Sequence, residues 1–209
     1  LNYKRSWFRG SIKRMMYLQL LETLQDIDLG EDPKVKHFVD RTNNHITLVK
    51  KAAAEIVKVY PEYAELLSQV EMHDASKFEE PELTPYIELT WQKKIGKGKN
   101  PNVTGNEDIT NATLHHIKTN RHHPEFHLKD KAKANLSSTN RDESIECVDA
   151  TNMPDIDVAE MVSDWVGMSW ELKTNTPREW YNDVKDVRWH FSSKQDLLID
   201  KLLKVFEEE

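Results

Sequence analysis

The most chemically loaded stretch of the chain is Glu71-Met72-His73-Asp74-Ala75-Ser76-Lys77-Phe78, a histidine joined directly to an aspartate with a lysine three places on. Imidazole and carboxylate together bind divalent metals such as Mn, Fe, Co or Zn, and a neighbouring ammonium holds an anionic oxygen. Read as helix, His73 and Asp74 sit about 100° apart and converge on one ion at the edge of a cavity. Lys77 then stands over the same spot. Two ligands do not complete a site, which needs three or more protein donors and an open position. His45 and Asp164 are the candidates for the rest, each an ionisable residue inside an otherwise apolar helical stretch. Asp157 and Glu160 share a helix face with Asp164, and a buried acid needs a partner that a cation would supply. Asp157 is the rival to Asp164 as the late ligand.

The chain has nine histidines, concentrated in His115-His116-Ile117-Lys118-Thr119-Asn120-Arg121-His122-His123-Pro124-Glu125. This block offers imidazoles for a second metal or for general acid–base work, with His115 and His116 both open to either role. Lys118 and Arg121, with Asn120 and His122 beside them, are candidates to hold a phosphate or carboxylate. His37, His127 and His190 read as surface or structural residues, and His123 as a residue of the site or of a solvated loop. Trp165, Trp170, Trp180 and Trp189 read mainly as core, Trp165 being the one that would touch a nucleotide base.

A helical His, then His-Asp, then a late Asp resembles the HD-domain superfamily of all-helical, metal-dependent enzymes, most of them phosphohydrolases. The form His73-Asp74-Ala75-Ser76-Lys77 is similar to the subset with a lysine next to the metal. The resemblance implies His45, His73, Asp74 and Asp164 as ligands of a principal metal, with His115 and His116 matching the extra histidines of members that hold two. More narrowly, the chain resembles small HD-like proteins of bacteria and their phages. The matching blocks are His73 to Phe78, His115 to Glu125, Met153-Pro154 with Glu160 to Trp165, and Glu179-Trp180-Tyr181, spanning about residues 40–190. The water-activating Glu of some nucleotidases is missing, since Ser76 and Lys77 stand there, and so is the Gly-Tyr-Pro of cyclic-dinucleotide phosphodiesterases.

Three functions follow as expectations. The first is a metal-dependent phosphohydrolase acting on a nucleotide or related phosphoester, with metal-activated water attacking phosphorus. Lys77, with Lys118 or Arg121, would neutralise growing charge, and His115 or His116 would move the leaving-group proton. The second is a di-iron oxygenase using His45, His73, Asp74, His115 or His116, His122 and Asp164. The third is a non-catalytic protein that binds a nucleotide or a partner.

These residues must be positioned by helices. Apolar spacing predicts helices over 11–28, 34–59, from Pro61 to Pro81, 82–94, 109–120, 156–172 and 178–186, and a C-terminal one opened by a capping box, Ser192 with Gln195. Residues 95–108 read as a loop and 128–152 as a polar insert or flap. No alternation of period two stands out. The expected fold is all-α, an HD-like bundle over 34–190 with an N-terminal extension (1–33) and a C-terminal helix (191–209).

Composition sets the outer limits. A formal charge of -7 argues against a general nucleic-acid binder, and 38% hydrophobic residues suffice for one core. The single cysteine, Cys147, suits a reducing cytoplasm, bacterial or phage-infected on the resemblance. No run is apolar enough for a membrane span, and the basic N-terminus lacks the apolar segment of a signal peptide. The expected partners are a divalent metal (Mn, Fe, Co, Mg or Zn, one or two per chain), a small phosphorylated substrate, and a second copy of the chain if it forms a homo-oligomer.

Overall fold

The computed structural model describes residues 32–96, 106–130 and 147–207. The predicted helix over 11–28 lies outside them, as do the middle of the 95–108 loop and most of the polar insert. The described residues are all-α apart from one short strand pair.

The first helix, α1 (Pro33–Val59), starts on Asp32, whose carboxylate accepts from the Lys34 amide, with Pro33 in the first turn where a missing N–H costs nothing. It buries Phe38, Thr42, His45, Ile46, Val49, Ala52, Ala53 and Ile56 on one face. The predicted third helix is broken. A 3-10 turn over Pro61–Tyr63 leads into α2 (Glu65–Gln69) and a second turn over Val70–Met72. The chain then leaves helical geometry at His73 (φ -54, ψ 130) and turns left-handed at Asp74 (φ 58, ψ 13) before a third 3-10 turn, Ala75–Phe78. The apolar spacing of Val70 and Phe78 is compatible with one continuous helix, which is why the break does not show in the pattern. Aspartate is among the few residues that tolerate left-handed backbone.

Then follow α3 (Leu83–Ile95), α4 (Glu107–Thr119), a 3-10 turn (Pro124–His127), α5 (Asp155–Leu172), α6 (Pro177–Val184) and α7 (Ser193–Leu203). The Ser192–Gln195 capping box forms as expected, and Thr176 with Glu179 makes a second one. Two-residue strands, β1 (Val148–Asp149) and β2 (Trp189–His190), pair in parallel with Val148 opposite Trp189, too short to leave an alternating signature. The main core joins α1, α5 and α7, and a smaller one holds Phe38, Ile46, Phe78 and Tyr86. Leu197, on α7, is 72% exposed. No described helix is long and apolar enough to cross a membrane.

Helices α1 and α5 pack together in the main core, and Gly167 of α5 lies directly against Val49 of α1. A Cβ there would lie 2.8 Å from Val49 Cγ2 and 3.1 Å from the Val49 amide nitrogen. Alanine gains about 1 kcal/mol of helix propensity over glycine, but overpacking against backbone costs about 1–3 kcal/mol. Gly167→Ala is therefore expected to lower the urea midpoint of unfolding. An unchanged or raised midpoint would show that the helices separate freely.

Candidate metal centre

Four segments join the one that carries Asp74. Helix α1 brings His45, the break after Met72 brings His73 and Asp74 itself, α4 brings His116, the turn after α4 brings His122 with His123 against it, and α5 brings Asp164. The two oxygens of Asp74 face different partners. Oδ2 lies 3.6 Å from His45 Nε2 and 3.7 Å from His73 Nε2. Oδ1 lies 3.3 Å from His116 Nε2 and 3.7 Å from His122 Nε2. Asp164 Oδ1 closes the first group, at 3.0 Å from His45 Nε2 and 3.7 Å from His73 Nε2.

The separations of 3.0 and 3.3 Å match those within a metal polyhedron, and the others, at 3.6 and 3.7 Å, are slightly wider. Donors about 2.0–2.2 Å from an ion stand roughly 3.0–3.5 Å from one another at right or tetrahedral angles. The same groups leave buried polar atoms unserved: among the described residues, neither His73 Nε2 nor Asp74 Oδ1 has a hydrogen-bond partner. An unsatisfied buried polar atom costs about 1–3 kcal/mol. A cation between the donors would remove that cost on both sides of Asp74.

Behind the inner nitrogens stands a layer of carboxylates. His73 Nδ1 donates to Glu160 Oε1 at 2.9 Å, and His116 Nδ1 donates to Glu82 Oε2 at 2.8 Å. His122 Nδ1 lies 3.5 Å from the same Glu160 oxygen, and His45 Nδ1 lies 3.6 Å from Glu171 Oε2. An acceptor at Nδ1 fixes the tautomer and ring orientation and turns the Nε2 lone pair inward, an arrangement typical of metal-ligating histidines. Glu160 backs one imidazole on each side of Asp74, whereas Glu82 backs His116 alone of the inner set. Replacing Glu160 with Gln is expected to weaken divalent ions on both sides by about 10–100-fold, and Glu82→Gln on the His116 side only. Metal titration of both variants reads this directly, and equal effects of the two would refute it.

The electrostatics follow from the crowding. Burial opposes a charge on His73, yet Asp74, Asp164 and Glu160 outweigh it and push the imidazole up to about 10. At His116 burial wins, and the ring is pushed down to about 4 despite Asp74 and Glu82. Burial would raise the Asp74 carboxyl, but Lys77 and the surrounding imidazoles hold it well below the carboxylate range. Asp164 is lowered in the same way, by His45 and His73.

The remaining candidates fall into place around this centre. Lys77 Nζ sits on Asp74 Oδ2. With Lys77 24% and Asp164 17% exposed at their side chains, these two form the edge of the cluster that solvent reaches. His115 points away from Asp74, donates to Glu82 Oε1 at 2.7 Å and is half-exposed, so of the two adjacent histidines His116 is the one that joins the donors. Asn120 donates to Ser76 Oγ at 2.8 Å and to the His116 carbonyl at 2.9 Å, bracing the start of the histidine turn. Arg121 is engaged by Asp157, at 3.2 Å from both Nε and Nη2. Asp157 is fully buried, also accepts from Gln69 Nε2 at 2.7 Å, and holds the turn rather than facing His45. Lys118 is half-buried on α4. Trp165 is packed in the core between Tyr181 and Trp189, with ring centroids 6.2 and 6.0 Å away, and is not among the residues around Asp74. His122, first read as a substrate contact, stands among the donors, and His123 stands beside it.

The far end of the histidine turn is clamped from the core. Glu125 is buried and accepts from Trp189 Nε1 at 3.0 Å, so β2 anchors the turn that carries His122 and His123. Nothing local in the sequence marks Glu82, Glu125 or Glu171 for these roles. The only hints are acids placed next to Pro81 and Pro124 and late in an apolar helix.

The fold and its centre thus define an all-α protein with buried His/Asp groups suited to a metal ion. The chain belongs to DUF5662, a family of unknown function whose model matches residues 34–205. No curated protein and no solved structure matches it.

Proposed function

We propose that this chain is a metal-dependent phosphohydrolase of the HD type, acting on a nucleotide or a related phosphoester. The observation that carries the reading is the Asp74 carboxylate, which offers one oxygen to each of two imidazole groups and has Lys77 on its solvent-facing side. His45, His73, Asp74 and Asp164 would hold one ion. Asp74, His116 and His122 would hold a second. A divalent ion so held supplies Lewis-acid chemistry, lowering the pKa of water towards neutrality and polarising a phosphoryl oxygen. Lys77, at the accessible edge, would neutralise charge growing on the phosphoryl group. His116 has both ring nitrogens engaged within the cluster, so of the two histidines first considered for proton transfer to the leaving group, His115 is the one left with an exposed edge.

Di-iron oxygen chemistry is the second reading. It is favoured by one observation, the predominance of imidazole around Asp74 Oδ1, since imidazole suits iron well and magnesium poorly. One set of measurements separates the two. The protein loaded with Mn²⁺, Mg²⁺, Fe²⁺ or Co²⁺ is offered a panel of nucleotides and phosphoesters, and phosphate release is followed beside a His73→Ala/Asp74→Ala control. Metal-stimulated release that the control lacks supports hydrolysis. Absence of release from every substrate, joined to an optical change when anaerobically iron-loaded protein meets air, would replace hydrolysis with the oxygenase reading.

A further inference from the structure

We infer that Gln69 is a positioning residue of the metal centre, whose one amide nitrogen bridges two buried carboxylates and fixes the plane of Glu160 behind His73. The role rests on the reading above, that the centre holds metal.

Gln69 is the last residue of α2, and its Nε2 donates to Glu160 Oε2 and to Asp157 Oδ1, both at 2.7 Å. A carboxamide nitrogen carries two hydrogens, so one group serves both acceptors. Asp157 and Glu160 stand three residues apart on one face of α5, and both are buried. Burial would raise the Glu160 carboxyl, but His122 and His73 hold it well below the carboxylate range. Asp157 is paired with Arg121. Each carboxylate therefore turns an oxygen to the same point. A third carboxylate there would add repulsion, and an apolar group would leave two buried charged acceptors without a donor. An ammonium would compete with the imidazoles for Glu160. A neutral double donor satisfies both oxygens and leaves the charge of Glu160 to the histidines.

The effect reaches the metal centre through Glu160. Its Oε1 accepts from His73 Nδ1 at 2.9 Å and lies 3.5 Å from His122 Nδ1. A carboxylate gripped at both oxygens cannot rotate, so the amide on Oε2 aims Oε1 at the imidazoles. Gln69 and His73 are four residues apart and hold the two oxygens of one carboxylate, across the point where the chain leaves helical geometry with no glycine or proline to mark it. The same amide touches Asp157, which clamps Arg121 next to His122. One side chain outside the donor set thus ties the His73 segment and the histidine turn to α5.

Gln69→Met keeps the length and the helix propensity and removes the donor. Co²⁺ binding to the intact chain, followed by visible absorption, is compared in the unaltered protein, Gln69→Met, Glu160→Met and the double variant. Gln69→Met should weaken Co²⁺ by about tenfold, the lower end of what losing an outer partner does, and should shift the visible band at saturation. In the Glu160→Met background the same change should cost less than about twofold, since a residue that acts through Glu160 has nothing left to act on. A merely structural residue would cost the same factor in both backgrounds. Equal factors, an unchanged affinity or an unshifted band would each overturn the proposal. If Glu160→Met does not fold, nuclear magnetic resonance of the unaltered chain decides: both Nε2 protons of Gln69 should exchange slowly and move when Zn²⁺ is added, and fast exchange or no response would overturn it. Failure of the unaltered chain to take up any Co²⁺ would remove the metal reading itself, and the role of Gln69 with it.

Discussion

Asp74→Asn is expected to abolish divalent-ion binding on both sides of the residue at once, with losses of at least about a hundredfold, beyond what disturbing an outer partner does. The reason is geometric before it is electrostatic. Each oxygen of Asp74 faces a different imidazole group, so on the proposed two-ion reading one substitution removes a donor from two sites. Asparagine is the informative replacement. It tolerates the left-handed backbone at this position, matches the volume, and keeps one oxygen, so the turn that places His73 and Lys77 survives. What it loses is the charge that balances the cations and the equivalence of the two oxygens. Valine here would add backbone strain and confuse the result. Calorimetric titration of Asp74→Asn beside Asp164→Asn makes the contrast: the latter should lose the ion on the His45 side and keep the other. An Asp74→Asn protein that retains either ion with unaltered affinity would show that the carboxylate is not shared.

That these residues gather at one place is legible in the chain from their types. His45 and Asp164 are ionisable residues on otherwise apolar helical faces, and such residues need a buried partner. His73-Asp74 next to Lys77, and the histidine block, gave the rest of the inner set. The helices carrying them, α1, α4 and α5, begin and end close to where prolines, caps and apolar spacing place them. What spacing did not disclose is which way each side chain turns. His115 and His116 are adjacent, and only the packing of Glu82, 34 residues away from His116, separates the buried ring beside Asp74 from its half-exposed neighbour. Arg121 looked like an anion-binding group and is instead absorbed by Asp157, because a fully buried carboxylate at the start of α5 takes the nearest guanidinium. The break at His73 left no glycine or proline behind it. In each case the deciding contact lies far off in sequence, where local pattern carries no information.

Removal of metal by a chelator is expected to cost the protein about 8–16 °C of thermal midpoint per ion, and the loss should grow as pH rises. An ion present at a thousand times its dissociation constant contributes about 4 kcal/mol, and each kcal/mol moves the midpoint by roughly 2–4 °C in a domain of this size. The pH dependence comes from His73 and His116. In the chelated protein His73 has its pKa raised from 6.5 to about 10, so its ion-pair contribution is complete below about pH 6.5 and is lost as pH climbs towards 10. His116 is lowered from 6.5 to about 4, so the unfolded chain takes up that proton first and stability falls as pH drops from 6.5 towards 4. Asp74 and Asp164, held below their ordinary range, add to the loss at still lower pH. The chelated protein should therefore be most stable near pH 6.5. Metal on the His73 side must expel the His73 proton, so its affinity rises with pH, approaching about tenfold per unit for one released proton, whereas His116 is already neutral and releases none. Thermal melts with and without chelator from pH 5 to 9, together with calorimetry in two buffers of different protonation enthalpy, measure both effects. A chelator-induced shift that is absent would mean that the buried cluster is a self-contained ion-pair network, and one that shrinks as pH rises would mean that metal binding does not displace the His73 proton.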